Sequence, residues 1–470
     1  VAADSQFYLR ISAMARPLRR TAVLIGLVLI LGIGGTVAYL RWATILGWFE
    51  SERVNPVEVA ELQSAVLPAA SATDAAVGWP QWRGPNRDGV APAGPFHTDW
   101  NTNPPQTLWS IPSGGGYSSL SVVAGRAYAF DFHDGQERLR CLDADTGKTI
   151  WEFAEPADYA SMTLGYATGP RATPTVSDGK IFTVGAAGRF NCLELPTAGG
   201  EPKRLWSHDL AGEFGASIPT WGFACSPLIE GDLVVVQPGS RKGSVAAYDR
   251  KSGTLRWTAG NDPNGYSSPV AATLAGVRQV IAVTGKSVLG IRPADGTVLW
   301  KYSWVTQFDG NIATPIVVGD YVFVSASYGK GCALLHVEAA QDGAKITEVY
   351  FRKNRVMRNH HDTCVYRDGF LYGFDGDYLK CVNLRTGEAV AGWEADPFVT
   401  KGSVILVDKY LLGMTETGKL FLADADPKAF TLRGKMESLF AGKENWATPV
   451  LVDGRIYVRN HENVKCINVR

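Results

Sequence analysis

The stretch Leu142-Asp143-Ala144-Asp145-Thr146-Gly147-Lys148-Thr149-Ile150-Trp151 returns in altered form along the chain. It reappears as Tyr248-Asp249-Arg250-Lys251-Ser252-Gly253-Thr254-Leu255-Arg256-Trp257, as Ala294-Asp295-Gly296-Thr297-Val298-Leu299-Trp300, and as Arg385-Thr386-Gly387 leading to Trp393. Each copy reads as a strand, a turn built on Asp or Asn plus Gly, and a second strand that carries a tryptophan. Upstream of these turns lies a small polar residue followed by proline: Ala172-Thr173-Pro174, Cys225-Ser226-Pro227, Ser267-Ser268-Pro269, Ala313-Thr314-Pro315 and Ala447-Thr448-Pro449. Proline is tolerated at the start of a strand, where no ladder donor is needed. Between the two motifs come tight Asp-Gly or Gly-Asp turns flanked by alternating apolar residues, at Asp178-Gly179, Gly319-Asp320 and Asp453-Gly454, which are hairpin signals. One unit is therefore a four-stranded antiparallel meander.

First strands begin near residues 118, 171, 225, 267, 313, 362, 402 and 447, which makes eight units with a period of roughly 40 to 55 residues. The last unit ends at Lys465-Cys466-Ile467-Asn468-Val469-Arg470, one strand short, and an unpaired edge is a liability. Thr107-Leu108-Trp109-Ser110-Ile111 has the form of the missing outer strand. The expected fold is all-β, an eight-bladed β-propeller over residues 105–470 whose ring the N-terminal strand closes.

Composition agrees. The 470 residues hold 46 Lys+Arg and 46 Asp+Glu, a balance unlike that of nucleic-acid-binding proteins, so no nucleic-acid partner is expected. Glycine at 51 residues exceeds the usual ~7%, and 14 Trp, 17 Tyr and 19 Phe fit turns between aromatic-rich strands. The seven cysteines form no CxxC, CxxCH or adjacent pair; Cys141, Cys192, Cys381 and Cys466 occupy one repeat slot and read as small buried packing positions. Trp109, Trp151, Trp206, Trp257, Trp300 and Trp393 recur once per unit and read as inter-blade packing.

The D-x-x-T-G-x-x-x-W pattern resembles the PQQ-like β-propeller repeat, shared by quinoprotein alcohol dehydrogenases and by the propeller lipoprotein of the outer-membrane β-barrel assembly machine. Trp79-Pro80-Gln81-Trp82-Arg83-Gly84-Pro85-Asn86-Arg87-Asp88-Gly89 is similar to the leader of envelope PQQ-like propellers of Planctomycetes, so residues 78–104 are expected to pack on the propeller. The resemblance implies an extracytoplasmic propeller. It leaves two functional classes: a scaffold without chemistry, or a dehydrogenase using PQQ and calcium. The dehydrogenases' adjacent cysteine pair is missing here and no calcium-and-base motif stands out, so no cofactor and no metal are expected and no catalytic residue is assigned. PQQ and calcium belong to the alternative, in which the enzyme oxidises an alcohol or sugar.

Ahead of the repeats, Thr21 to Leu40 is an uncharged stretch of bilayer-spanning length. Arg16, Arg19 and Arg20 precede it, so residues 1–20 are expected in the cytoplasm, 21–40 as a single-pass inner-membrane anchor, 41–77 as a juxtamembrane linker, and the propeller in the periplasm; the alternative is a cleaved signal peptide, whose apolar region is usually shorter.

Loops leading into the innermost strands of a propeller converge on one mouth of its channel, the default ligand site. The residues placed there are Arg171, Trp221, Tyr266, Asn311, His360, His361, Lys401, Glu444 and Trp446, with Tyr117 and Tyr166 among their neighbours. This mixture of rings, amides and cations suits an anionic ring compound, a sugar or an extended peptide, and the partner is expected to be a small ligand or an envelope protein. Arg358-Asn359-His360-His361-Asp362 replaces the Ala-Thr-Pro motif. In extended backbone His360 and His361 would point to opposite faces and not share a metal, whereas a neutral imidazole there would accept a proton. No GxGxxG, P-loop, HExxH or GxSxG is present, which excludes the common nucleotide-binding and hydrolase readings.

Overall fold

Each repeat unit closes on itself as one antiparallel sheet, and eight such sheets stand around a common axis in the computed structural model. The structure describes residues 50–55 and 78–470, apart from 93, 160–161, 163–167, 198–199, 342 and 354–355. The expected anchor at 21–40, most of the linker and Tyr166 lie outside the described residues. Among the described residues no helix is long and apolar enough to cross a membrane. Blades 1 to 8 span residues 121–156, 175–209, 228–259, 270–303, 316–352, 365–389, 402–436 and 450–468. Gln106–Pro112 supplies the outer strand of blade 8, pairing antiparallel with Asn463–Asn468.

Strands start about three residues later than the sequence motifs, and the reason is chemical. The small polar residues before each proline link neighbouring blades. The Ser119 amide donates to Thr173 Oγ1 (3.0 Å), that of Thr173 to Ser226 Oγ (2.9 Å), that of Ser226 to Ser268 Oγ (2.9 Å) and that of Thr314 to Thr363 Oγ1 (2.9 Å). Around the buried axis these bonds satisfy amides that no ladder reaches.

The outer strands are joined by the tryptophans. Trp109, Trp257 and Trp393 donate Nε1–H to Ala144 O, Pro293 O and Asp426 O of the following blade. The turn glycine lies under the incoming ring: a Cβ at Gly253 would stand 2.6 Å from Trp206, and Gly253 has φ +74°. Neither blade 7, where Gly434 stands in the outer strand, nor blade 5 has such a tryptophan. In blade 5 Tyr350 takes the place, donating its OH to Leu384 O (2.9 Å) over Gly387. The cysteine slot is explained by register: Cys141 faces Tyr128 on one side and Trp151 on the other, and Cys466 faces Tyr457 and Trp109. A small residue lets the flanking rings approach to about 6 Å over it. All seven thiols are buried and free.

The leader does more than pack on the propeller: it enters the channel. Gly78–Trp79 pairs with blade 1, Pro80 O accepts from the Val176 amide of blade 2, and Val90 bridges Leu406 of blade 7. Between them Arg87 donates to Ser226 O and Pro227 O of blade 3, and Arg83 to Thr363 O (3.0 Å) and Cys364 O (2.8 Å) at blade 6. Both guanidinium groups are fully buried, and burial pushes both below their ordinary pKa. Arg83, Gly84, Arg87 and Gly89 all have positive φ, which folds the leader into a knot narrow enough for the channel. The segment expected to be a plain linker carries a two-residue strand, Arg53–Val54, paired with the outer strand of blade 5; Arg53 meets Glu348 in a two-pronged ion pair (2.7 and 2.9 Å).

Candidate functional site

Above the leader the channel mouth opens as a blind cavity of about 380 Å³, within the size range of small-ligand sites. Arg171, Trp221, Tyr266, His360, His361 and Trp446 line it, each from the loop before an inner strand. Three expected members do not. Asn311 is buried and used up: its Nδ2 donates to Thr284 O (2.8 Å) and Trp304 O (2.9 Å), and its Oδ1 accepts from Thr306 (3.0 Å). Lys401 sits behind the wall, 5.9 Å from the Trp446 ring and 3.4 Å from Glu416. Glu444 Oε2 accepts from the Tyr117 hydroxyl (3.3 Å) and so positions a wall residue. Tyr117, expected beside them, lines it too, and the structure adds Trp82 from the leader, Tyr328 from the second hairpin of blade 5, and Phe308.

The rings form a nearly continuous belt. Tyr117 stacks on Trp446 (4.8 Å), Trp446 on His361 (3.8 Å) and His361 on His360 (3.8 Å). His360 Nε2 lies 3.1 Å from Tyr328 OH, Tyr328 lies parallel to Trp221 at 6.1 Å, and Trp221 meets Tyr266 at 5.2 Å. His360 and His361 thus face the same cavity. The expectation that they point apart is corrected, because residues 360–362 form a bend, not extended strand. Among the described residues no group of three or more His, Cys, Asp and Glu is placed to hold a metal ion.

Desolvation and the charge of Lys401 push the His360 pKa down to about 4; His361, packed between two rings, falls well below its ordinary value through desolvation, with His360 and Lys401 adding to the shift. Both are neutral at neutral pH. No carboxylate appears among the lining residues, so Arg171 is the one charged side chain the described wall presents. Its guanidinium lies 5.4 Å from the Tyr117 ring centroid and donates to Gly169 O; burial lowers its pKa, opposed by Tyr117, Tyr159 and Glu137. Behind it Glu137 accepts from Tyr159 and from the Ala186 amide (2.8 Å), and burial raises its pKa to about 7. Beneath the histidines Asp362 is fully buried with Oδ2 unpartnered, and desolvation raises it to about 7 against the pull of Arg83.

This donor set does not fit a PQQ-calcium centre. Calcium takes six to eight oxygen ligands with carboxylates prominent, and the described wall offers hydroxyls, imidazoles and one cation instead.

A family model described as outer membrane protein assembly factor BamB matches residues 135–390. No curated protein sequence matches the chain significantly. Among solved structures, a quinohemoprotein alcohol dehydrogenase from Comamonas testosteroni is 12% identical with a TM-score of 0.58, covering 85% of this chain and 81% of that one. BamB from Moraxella catarrhalis is 15% identical with a TM-score of 0.51 over 77% of this chain and 99% of its own. The computationally designed Ika8 protein is 12% identical with a TM-score of 0.53, over 77% and 100%. At such identities these structures share the fold alone. With over half its length matched by the family model and eight four-stranded blades around one axis, the chain belongs to the PQQ-like β-propeller family.

Proposed function

We propose that the protein is a membrane-anchored, periplasmic binding propeller that performs no chemistry of its own and holds a small anionic ligand with flat apolar faces at its blind mouth, alone or for an envelope protein partner. The observation that carries this reading is the belt of rings around a cavity whose described wall has Arg171 as its single charge. Ring faces stack on a flat ligand, and a half-buried guanidinium recognises a carboxylate. The leader of envelope propellers and the basic residues before Thr21 support the location.

The test is a thermal melt and tryptophan-fluorescence titration of the full-length chain with naphthoate, galacturonate and, separately, PQQ plus calcium. A ligand at about 100 times its dissociation constant adds roughly 2.7 kcal/mol. Naphthoate or galacturonate is expected to raise the midpoint in the wild type and not in Arg171→Met. A shift by PQQ plus calcium with dye reduction in the presence of an alcohol would replace this reading with a dehydrogenase. Release of the protein from membranes by alkaline carbonate would remove the anchor.

A further inference from the structure

The mouth cavity has a neighbour. A second cavity of about 590 Å³ lies between the loops of blades 3 and 4, and Tyr266 and Phe308 belong to the walls of both. Phe308 is an unusual partition. It has φ +60° and ψ +20°, followed by Asp309 at φ +53°, and a bulky residue in that region is an outlier that the surrounding structure must hold in place. The result is a phenyl ring more than half exposed, edge-on to Trp221 and Tyr328, at the threshold between the two spaces.

The second cavity is also positive. Exposed Arg241 and Lys242 stand on its wall, while its one carboxylate among the described lining residues, Asp309, is tied to Lys286 Nζ at 2.6 Å. Asn264 lines it as well; its carboxamide is more than nine-tenths buried and neither polar atom has a partner. An unpartnered buried amide calls for an explanation, and a hydroxyl reaching it from the cavity side supplies one. Loops, turns and the end of a short helix, not a strand edge, form both walls, so an extended peptide finds no ladder to join.

From these features we infer that the two cavities are one cleft for an acidic oligosaccharide, which runs from the ring belt across Phe308 to the Asn264 subsite. The inference rests on the binding role proposed above and names its ligand class. Sugar rings offer C–H faces to the aromatic side chains, successive acidic groups match Arg171 at one end and Arg241 with Lys242 at the other, and hydroxyls match the free carboxamide. A single aromatic carboxylate fills only the first cavity.

Isothermal titration of the full-length chain with galacturonate monomer, dimer and tetramer, and with neutral cellotetraose, tests it. The tetramer is expected to bind at least tenfold more tightly than the dimer, and cellotetraose at least tenfold more weakly than the acidic tetramer. Phe308→Gly suits the left-handed backbone and removes only the ring; because that ring also borders the mouth cavity, it is expected to weaken the tetramer more than the dimer and so reduce the tetramer-to-dimer ratio towards one. Arg241→Ala with Lys242→Ala does the same, whereas Arg171→Met weakens both lengths. Equal affinity for dimer and tetramer, or equal affinity for cellotetraose, overturns the extended cleft. Arg171-dependent binding of naphthoate without any binding of the tetramer also overturns it while preserving the mouth as an anion site, and absence of every Arg171-dependent interaction sinks both.

Discussion

Replacing Arg83 by methionine tests whether the leader holds the ring together. The side chain is fully buried and donates to Thr363 O, Cys364 O and Asp88 O at 3.0, 2.8 and 2.8 Å. Hydrogen bonds from a charged group contribute about 1.5–3 kcal/mol each, and methionine, which keeps much of the stem packing, leaves three carbonyls without that donor. Against this stands relief of the desolvation cost of a buried cation, several kcal/mol. The net loss is about 3–5 kcal/mol. At ~2.1 cal/mol/K per residue, a body of about 390 residues unfolds with an entropy near 0.8 kcal/mol/K, so the melting midpoint falls by about 4–6 °C. Because Arg83 also supports the ionised form of Asp362, the deficit is larger at pH 8 than at pH 5. Differential scanning calorimetry at both pH values reads this directly, with Arg433→Ala, which breaks an exposed pair with Asp424, as a control expected to stay at the wild-type midpoint. A variant that melts within 1 °C of wild type at both pH values refutes the leader's stapling role.

Gly253→Ala forces a side chain into φ +74° and against Trp206, and a loss of about 2–3 kcal/mol is expected by chemical denaturation, with Trp206 fluorescence altered. Asp362 has a folded pKa near 7 against an ordinary value of 3.8; the fold favours the neutral acid, so that contribution is complete below about pH 4 and lost as pH rises through 7. Asp362→Asn is therefore expected to raise the unfolding free energy at pH 8, by up to about 4 kcal/mol, and to leave it unchanged at pH 4; an equal effect at both pH values contradicts the assignment. Burial holds the thiols well above the ordinary value, Cys141 and Cys225 at about 11, so Ellman's reagent should titrate none of the seven cysteines in the native protein and all seven in guanidinium.

The blades were legible because every unit must solve the same local problem, and Ser-Thr-Pro, Asp-Gly and Trp are the marks of its solution. Blade 5 obscured its own mark, since Tyr350 performs the docking that tryptophan performs in blades 3, 6 and 8. The site was legible only where it hangs from that periodicity: Arg171, Trp221, Tyr266, His360, His361 and Trp446 all precede an inner strand. Trp82 reaches the cavity through leader contacts more than 200 residues away in sequence, such as its Nε1 donation to Thr314 Oγ1, and no local pattern announces such a contact. Phe308 depends on a backbone conformation that its residue type disfavours. Asn311 looked like a ligand group because an asparagine in a loop reads the same whether its amide is free or spent on neighbouring carbonyls.

The path of the leader has a consequence for biosynthesis. Residues 78–112 leave the ribosome before any blade, yet their partners include Thr363, Leu406 and Asn463–Asn468. Native pairing of such separation is slow, and incomplete chains expose strand edges in the meantime. Gln106–Pro112 must stay unengaged until blade 8 has emerged, so closure serves as a completeness check: a chain cut short before blade 8 leaves this clasp without its partner, and offers proteases an open ring.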